Sequence, residues 1–522
     1  MATPPEKLAE ALSVLEKRQS GGQRVFQSKD LSPVHRKRLL QSGYLQEAMK
    51  GWLISSSPHT HAGDSTPWYA SFWEFCARYC QSRFGQHWHL SPEQSLLLHA
   101  ENTVIPLHVV VYSTKGMNNT VNLLFGTSFY DLKQAQMPPV HSLTVREGLR
   151  LYSPGAALVK VPESFFNRHP IEVQVALASV RDASEVLRPL LDGGHSVVAG
   201  RLAGAFRRIG RPEIADNIAS TMTAAGYFVR ETDPFAAQQT FAVLRPANAP
   251  MVGRLQAMWA AMREPVIAAF PPPPGLPRAD SDRYLKRVDE IYQSDAYHSL
   301  SIEGYRVTPE LIERVRAGGW DPDRHEGDRK SRDALAARGY WQAFQAVKEA
   351  VTGIIAGANP GGLLRSVHHD WYRELFQPCV TANLLPPGAL AGYRNDAVYL
   401  RTSRYVPPRW EAVRDAMPAL FDLMERETEP AVRAVLGHWL LGYIHPYPDG
   451  NGRMARFLMN ALLASGGYPW TVIRVEDRSS YLSALDRASI DLDIGPFAGF
   501  VAERVGWAMG KNGPNKPEAT QR

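Results

Sequence analysis

Apolar positions along the first 54 residues change their period twice. In KLAEALSVLEKR, Leu8, Leu12 and Leu15 share one helical face. In VFQSKDLSPVHRKRLLQSG, Ser28 suits the cap of a short helix, Pro33 the first turn of a second, and Gly43 the residue after its end. YLQEAMKGWLIS then alternates about Lys50-Gly51, which predicts a hairpin. Between residues 90 and 165, HVVVYS, TVNLLFGTS and ALVKVPES alternate or run β-branched and predict strands, with turns at Lys115-Gly116 and Asn118-Asn119. Residues 170–230 return to helix. AFPPPPGLPRADSD, residues 269–282, forbids helix and favours an extended spacer. Further on, EPAVRAVLGHWLLGY puts Val432, Val435, Leu436, Trp439, Leu440 and Tyr443 at helical spacing, with Pro430 in its first turn. A second helix beginning near Asn451 carries Met454, Phe457, Leu458, Ala461 and Leu462, and Gly466-Gly467 stops it.

This patterning divides the chain into residues 1–60, 61–250, a proline-rich linker over 251–281, a helical domain over 282–508 and a polar tail over 509–522. Three helices followed by a hairpin outline a winged helix-turn-helix in the first segment. Its reading helix carries His35, Arg36, Lys37 and Arg38, and Arg36, Lys37 and Arg38 would face DNA phosphates or base edges. The alternative is a helical protein-interaction module with a solvated basic face. The order winged helix, strands, helices weakly resembles the antitoxins of abortive-infection toxin–antitoxin systems, a likeness of layout that carries no chemical motif.

At 522 residues the chain exceeds one ordinary core, which fits two or three domains. A net charge of +6 permits anionic partners without naming one. The first 22 residues place charges every few positions, unlike a signal peptide, and no apolar run is long enough to cross a bilayer. A cytoplasmic protein with no membrane partner is the expectation. Cys76, Cys80 and Cys379 are too few and too scattered for a disulfide framework, and Cys76 and Cys80 lack the second pair of a tetrahedral metal site. Both are expected in a helical core.

The densest chemistry is HPYPDGNGRMAR, His445 to Arg456, the loop between the two late helices plus the first turn of the second. Free backbone N–H groups at a helix start attract anions, and Gly450 and Gly452 let an anion approach the backbone. Arg453 and Arg456 lie three apart and can grip successive phosphates. Asp449 is a hard oxygen ligand of the kind magnesium takes. His445 has a pKa range suited to a general base. Together these groups imply transfer of part of a nucleotide to a hydroxyl.

The segment resembles the signature of the Fic (filamentation induced by cAMP) family, His-x-Phe-x-Asp/Glu-Gly-Asn-Gly-Arg-x-x-Arg, with Tyr447 at the phenylalanine position. The resemblance spans roughly residues 280–505. It implies an all-α domain with a β-hairpin flap, preceded here by the α+β region that begins with the winged helix. It also implies a protein adenylyltransferase that uses ATP and Mg2+ to place AMP on a Ser, Thr or Tyr hydroxyl of a target protein. In that picture His445 is the base and Asp449 holds the metal. Gly450, Asn451 and Gly452 form the anion hole, and Arg453 binds the β-phosphate. NDAVYLRTSRYVPPRWEAV is similar to the flap, and Gly392 to Arg394 precede it as in the family. Tyr481 sits where the family often has an aromatic near adenine; a core tyrosine is the equal alternative. A homodimer is left open.

Upstream, Ser299-x-x-x-Glu303-Gly304 resembles the family's inhibitory motif. Ser299 and Glu303 share a helical face, and Gly304 suits the helix end. The resemblance implies that Glu303 contacts Arg456 in the place of the γ-phosphate. Two other functions remain open: removal of AMP or transfer of another phosphate group by the same site, and a DNA-bound regulator or antitoxin-like module that uses the domain as a nucleotide sensor.

Overall fold

The computed structural model describes residues 3–60, 63–235, 249–276, 280–319 and 331–510. Residues 277–279 of the proline-rich stretch and 511–522 of the expected tail lie outside the described residues. The chain divides into two compact units, Met1–Arg254 with Tyr399–Val406, and Leu255–Val398 with Pro407–Arg522.

The first unit opens with helix Pro4–Gln19, strand β1 (Val25–Gln27), a 3-10 turn at Ser28–Asp30, helix Pro33–Gln41 and the hairpin β2 (Leu45–Met49) and β3 (Trp52–Ser55). β3 lies between β1 and β2, antiparallel to both. Gly51 turns the hairpin with φ 87°, a left-handed conformation that glycine adopts without strain. Leu15, Phe26, Leu39, Leu45 and Leu53 close a small core. Of the three helices expected here, the middle one is a single 3-10 turn. Asp30 accepts the Gln27 backbone N–H at 2.8 Å, which closes the turn before Pro33 starts the next helix.

A second sheet joins β4 (Trp88–Leu90), β5 (His108–Ser113), β6 (Asn119–Asn122) and β7 (Ser128–Lys133) in the order β4-β5-β7-β6, with β5 parallel to β7. β8 (Leu143–Arg146) and β9 (Leu149–Tyr152) form a separate hairpin. Cys76 and Cys80 are buried on helix Thr66–Phe84. The stretch ALVKVPES, expected as a strand, is helical instead. The Ser153 side chain accepts from Ala156 N–H and Pro154 opens helix Pro154–Lys160. Residues 155–159 are all buried, so the segment lacks a polar face and its apolar run does not distinguish helix from strand.

The expected linker over 251–281 needs correction as well. Helix Pro250–Ala269 occupies its first part and buries Met251, Leu255, Met258, Met262 and Val266. Residues 270–276 carry the non-helical proline run.

The second unit is helical. Its described elements include Ser281–Ile302, Pro309–Arg316, Arg332–Ile355, Pro360–Thr381, Trp410–Arg426, Pro430–Ile444, Asn451–Ala464, Arg478–Ile490 and Gly495–Ala508. Helices Pro430–Ile444 and Asn451–Ala464 are buried almost all round, so the loop between them is held from both ends by the core. The hairpin flap is absent: among the described residues no strand follows β9. Residues 399–406 belong to the first unit, where Ile105 N–H donates to the Arg404 carbonyl at 2.8 Å and Arg404 donates back to the Ile105 carbonyl at 2.9 Å. The segment thus pairs with Ile105, and within itself it forms a turn from the Ser403 N–H to the Leu400 carbonyl rather than a strand ladder. Among the described residues no helix is long and apolar enough to cross a membrane.

Candidate active site around His445

Helix Pro430–Ile444 ends one residue before His445, whose backbone is left-handed at φ 51° and ψ 59°. The imidazole Nδ1 lies 3.3 Å from the Gly442 carbonyl. A carbonyl only accepts, so Nδ1 carries the proton and Nε2 keeps its lone pair. Burial lowers the imidazole pKa to about 4, and Arg394 pushes in the same direction. His445 is therefore neutral across the physiological range.

The loop after it is fixed by Asn451. Its Oδ1 accepts the Tyr447 backbone N–H at 2.9 Å, and its Nδ2 donates to the Tyr447 carbonyl at 2.8 Å. The side chain of Asn451 thus holds the loop, which leaves its backbone N–H for an anion. The Tyr447 ring stacks on Tyr372 with centroids 4.1 Å apart, anchoring the loop as a phenylalanine would. Its buried hydroxyl has no hydrogen-bond partner among the described residues.

Gly450 is left-handed, with φ 80°, and a Cβ there would lie 2.8 Å from the Phe376 ring. Helix Asn451–Ala464 starts immediately after it. Asp449 is largely exposed; its Oδ1 accepts the Gly450 N–H at 2.6 Å and lies 3.5 Å from Arg453. Among the described residues no group of three or more His, Cys, Asp or Glu side chains is arranged to hold a metal. One exposed carboxylate still fits a magnesium ion, because that ion commonly takes most of its ligands from phosphate and water.

The two arginines of the motif are both buried, and they are held by different means. Arg453 lies between the Phe376 ring, 5.0 Å away, and the Tyr305 ring, 5.3 Å away. Arg456 donates from Nε to Ser299 Oγ at 2.9 Å, and from one terminal nitrogen to the Ser299 carbonyl at 3.0 Å and to Glu303 Oε1 at 2.7 Å. Burial alone would raise the Glu303 pKa, but Arg456, with Arg453 and Arg478 behind it, holds it below the usual carboxylate value. Glu303 also lies against the anion hole: a Cβ on Gly452 would fall 2.2 Å from Glu303 Oε1.

The helix that presents Ser299 and Glu303 is latched at further points. Asp295 accepts from the Tyr340 hydroxyl at 2.6 Å, the Val475 N–H donates to His298 Nδ1 at 3.2 Å, and Arg478 donates to the Ile302 carbonyl at 2.8 Å. Burial lifts the Asp295 pKa to about 6.

Tyr481 is placed as a core tyrosine. It is 2% exposed, its hydroxyl lies 2.8 Å from His438 Nε2, and Phe497 and Phe500 border its ring. No face of that ring is open to an adenine base. Arg36 donates to the Ser28 carbonyl and Arg38 to the Lys7 carbonyl, leaving Lys37 as the exposed member of the three. His35 lies 3.8 Å from Glu10. Intramolecular partners therefore take up much of the basic cluster on helix Pro33–Gln41. Tyr305, Phe376, Asp295 and Tyr340 escape a reading of sequence because each acts across folded contacts and belongs to no local pattern.

The Fic/DOC family model matches residues 362–463, which hold the whole loop. Over that segment the chain matches the Fic/DOC family. A protein adenylyltransferase Fic of Nematostella vectensis is 44% identical over 114 residues, 21% of this chain and 26% of that one. One of Aedes aegypti is 43% identical over 235 residues, covering 43% of this chain and 42% of that one. The chain thus spans less than half the length of these curated relatives. Among solved structures, Fic-1 (residues 134–508) of Caenorhabditis elegans aligns with a TM-score of 0.36 at 16% identity, covering 69% of this chain and 88% of that one.

Proposed function

We propose that the Fic domain is a protein adenylyltransferase that moves AMP from ATP to a Ser, Thr or Tyr hydroxyl of a protein, and that Glu303 restrains it. The observation that carries this reading is a half-buried, neutral His445 with Nε2 unprotonated, one loop away from a glycine-flanked helix start. Nε2 takes the proton of the target hydroxyl as its oxygen attacks the α-phosphorus. The bond from that phosphorus to the bridging oxygen breaks, and pyrophosphate leaves. The Gly450 N–H is taken by Asp449, so the backbone N–H groups of Asn451 and Gly452 face the anion, as at other helix N-termini, and Arg453 binds the β-phosphate. Asp449 would hold magnesium, which when bound supplies positive charge against the phosphate oxygens.

Restraint by Glu303 rests on its ion pair with Arg456 and its approach to Gly452. A terminal phosphate needs that arginine and meets a carboxylate already there. A hydrogen bond to a charged group contributes about 1.5–3 kcal/mol, which corresponds to roughly ten- to a hundredfold suppression of the active pose.

The test is full-length Glu303→Gly incubated with ATP labelled on its α-phosphate and host lysate. Protein labelling should rise roughly ten- to a hundredfold over the parent and vanish when His445→Ala is added. Equal labelling by parent and Glu303→Gly would remove the restraint, and labelling without His445 would remove the base. No label transfer, together with AMP release from a pre-modified protein, would make the domain a deAMPylating enzyme instead.

A further inference from the structure

We infer that Arg394 is the positioning residue that holds His445 in its reactive pose and ties that pose to both ends of the segment preceding helix Trp410–Arg426. The inference rests on the adenylyltransferase reading.

Arg394 is 2% exposed and lies in the second unit with every group it contacts here. Its Nε donates to the His445 carbonyl at 2.8 Å, and a terminal nitrogen reaches the Ile444 carbonyl at 3.4 Å. Its backbone N–H donates to the Pro446 carbonyl at 2.9 Å. One residue thus binds three consecutive carbonyls, with the histidine in the middle. The Ile444 and His445 carbonyls stand at the helix end, where they lack an intrahelical partner.

The same guanidinium also donates to the Asp396 carbonyl at 2.9 Å and to the Pro408 carbonyl at 2.5 Å. Residues 396 and 408 both lie within the stretch 395–413 that the sequence likeness assigns to the flap. Arg414, from the following helix, completes the set by donating to the Arg394 carbonyl at 3.0 Å and to Asn395 Oδ1 at 2.5 Å.

The physical need is clear from the backbone. A left-handed non-glycine residue costs roughly 1–2 kcal/mol and persists only where its surroundings over-determine it. Arg394 supplies that constraint with a planar fork of five N–H donors. Lysine has the same charge but a compact head that cannot span carbonyls on two segments. Released from the fork, the His445 backbone relaxes and Nε2 leaves the line to the hydroxyl. A misplacement of about 1 Å costs on the order of 100-fold in rate.

The experiment uses full-length Glu303→Gly as parent and adds Arg394→Lys or Arg394→Ala. AMP transfer, ATP affinity and the His445 ring nitrogens, read by NMR on histidine-labelled protein and assigned by His445→Ala, are measured for each. The expected result is a kcat fall of on the order of 100-fold for Ala and nearly as much for Lys. ATP affinity should stay within about threefold, since the carbonyls that Arg394 holds, at 396, 408 and 444–446, lie outside the proposed phosphate ligands. The single Nδ1-protonated ring signal of His445 should broaden or shift in both variants. An unchanged ring signal and unchanged kcat in Arg394→Ala would overturn the inference, as would loss of ATP affinity in step with kcat. Should the parent transfer no AMP, the adenylyltransferase reading fails, and the ring signal alone still decides whether Arg394 positions His445.

Discussion

Helices Ser281–Ile302 and Pro430–Ile444 both deliver their C-termini to this site, and they end in contrasting ways. The first closes through Gly304, left-handed at φ 84°, with the Tyr305 N–H returning to the Leu300 carbonyl at 3.1 Å. Glycine adopts that conformation without a Cβ penalty, so this end is cheap to make and cheap to release. The second closes through His445, also left-handed but bearing a side chain. The cheap end carries Glu303, the proposed restraint, and the strained end carries the proposed base. On the proposed reading, the residue that leaves sits on a relaxed terminus, while the residue that stays sits on a strained terminus pinned by Arg394. Strain at a functional residue is then part of its positioning, with the surrounding structure bearing it.

The contrast is broken most severely at His445. Both His445→Ala and His445→Gly should lose at least about 100-fold of AMP transfer, the usual scale for a general base. Their stabilities should differ. Alanine keeps the left-handed strain and glycine removes it, so the glycine variant should melt above the alanine variant by about 2–4 °C, the shift that roughly 1 kcal/mol gives a domain of this size. Thermal melts of the two proteins check this. Equal midpoints would mean that His445 is not strained and that the two helix ends are alike.

Gly304→Ala tests the other terminus, with a smaller effect. A Cβ at Gly304 meets nothing within 4 Å, so its φ of 84° is the sole source of strain. About 1 kcal/mol of strain in the docked helix end shifts the balance toward release by roughly fivefold. Basal AMP transfer should rise by that factor, far less than in Glu303→Gly. No rise would show that the inhibitory end is not held through its left-handed turn.

The sequence carried the strained end better than its support. Pro430, Asn451 and Gly466-Gly467 mark the two helices because capping chemistry is local, and the residues from His445 to Arg456 are legible because phosphate chemistry compresses them into one loop. Ser299 and Glu303 are legible for the same reason, four apart on one helical face. Arg394 stood in a familiar tripeptide, but its five carbonyl partners carry no residue identity and leave no pattern to find. Tyr305 meets Arg453 only once the chain has folded. ALVKVPES was opaque because full burial erases the period that separates helix from strand. The absent flap hairpin reflects a competing partner, Ile105, that no local alternation announces.

A further test sharpens the comparison through pH. Asp295 lies two turns before Glu303 on the releasable helix, and burial lifts its carboxyl to about 6 against the hydrogen bond from Tyr340 and the attraction of Arg456. An acid whose folded pKa is raised favours the docked state below its free pKa of 3.8, and that contribution fades as pH rises through about 6. The docked helix should therefore loosen between pH 5 and 6.5, by at most tenfold per pH unit for one proton. His445, lowered to about 4, stays neutral over that range and adds no slope. Asp295→Asn keeps an oxygen for Tyr340 and cannot titrate. The ratio of basal AMP transfer in the parent to that in Asp295→Asn should rise from pH 5 to 6.5 and then level off. A flat ratio would show that the Asp295 proton is not linked to docking, and the relaxed terminus would then depend on Glu303, His298 and Arg478 for its hold.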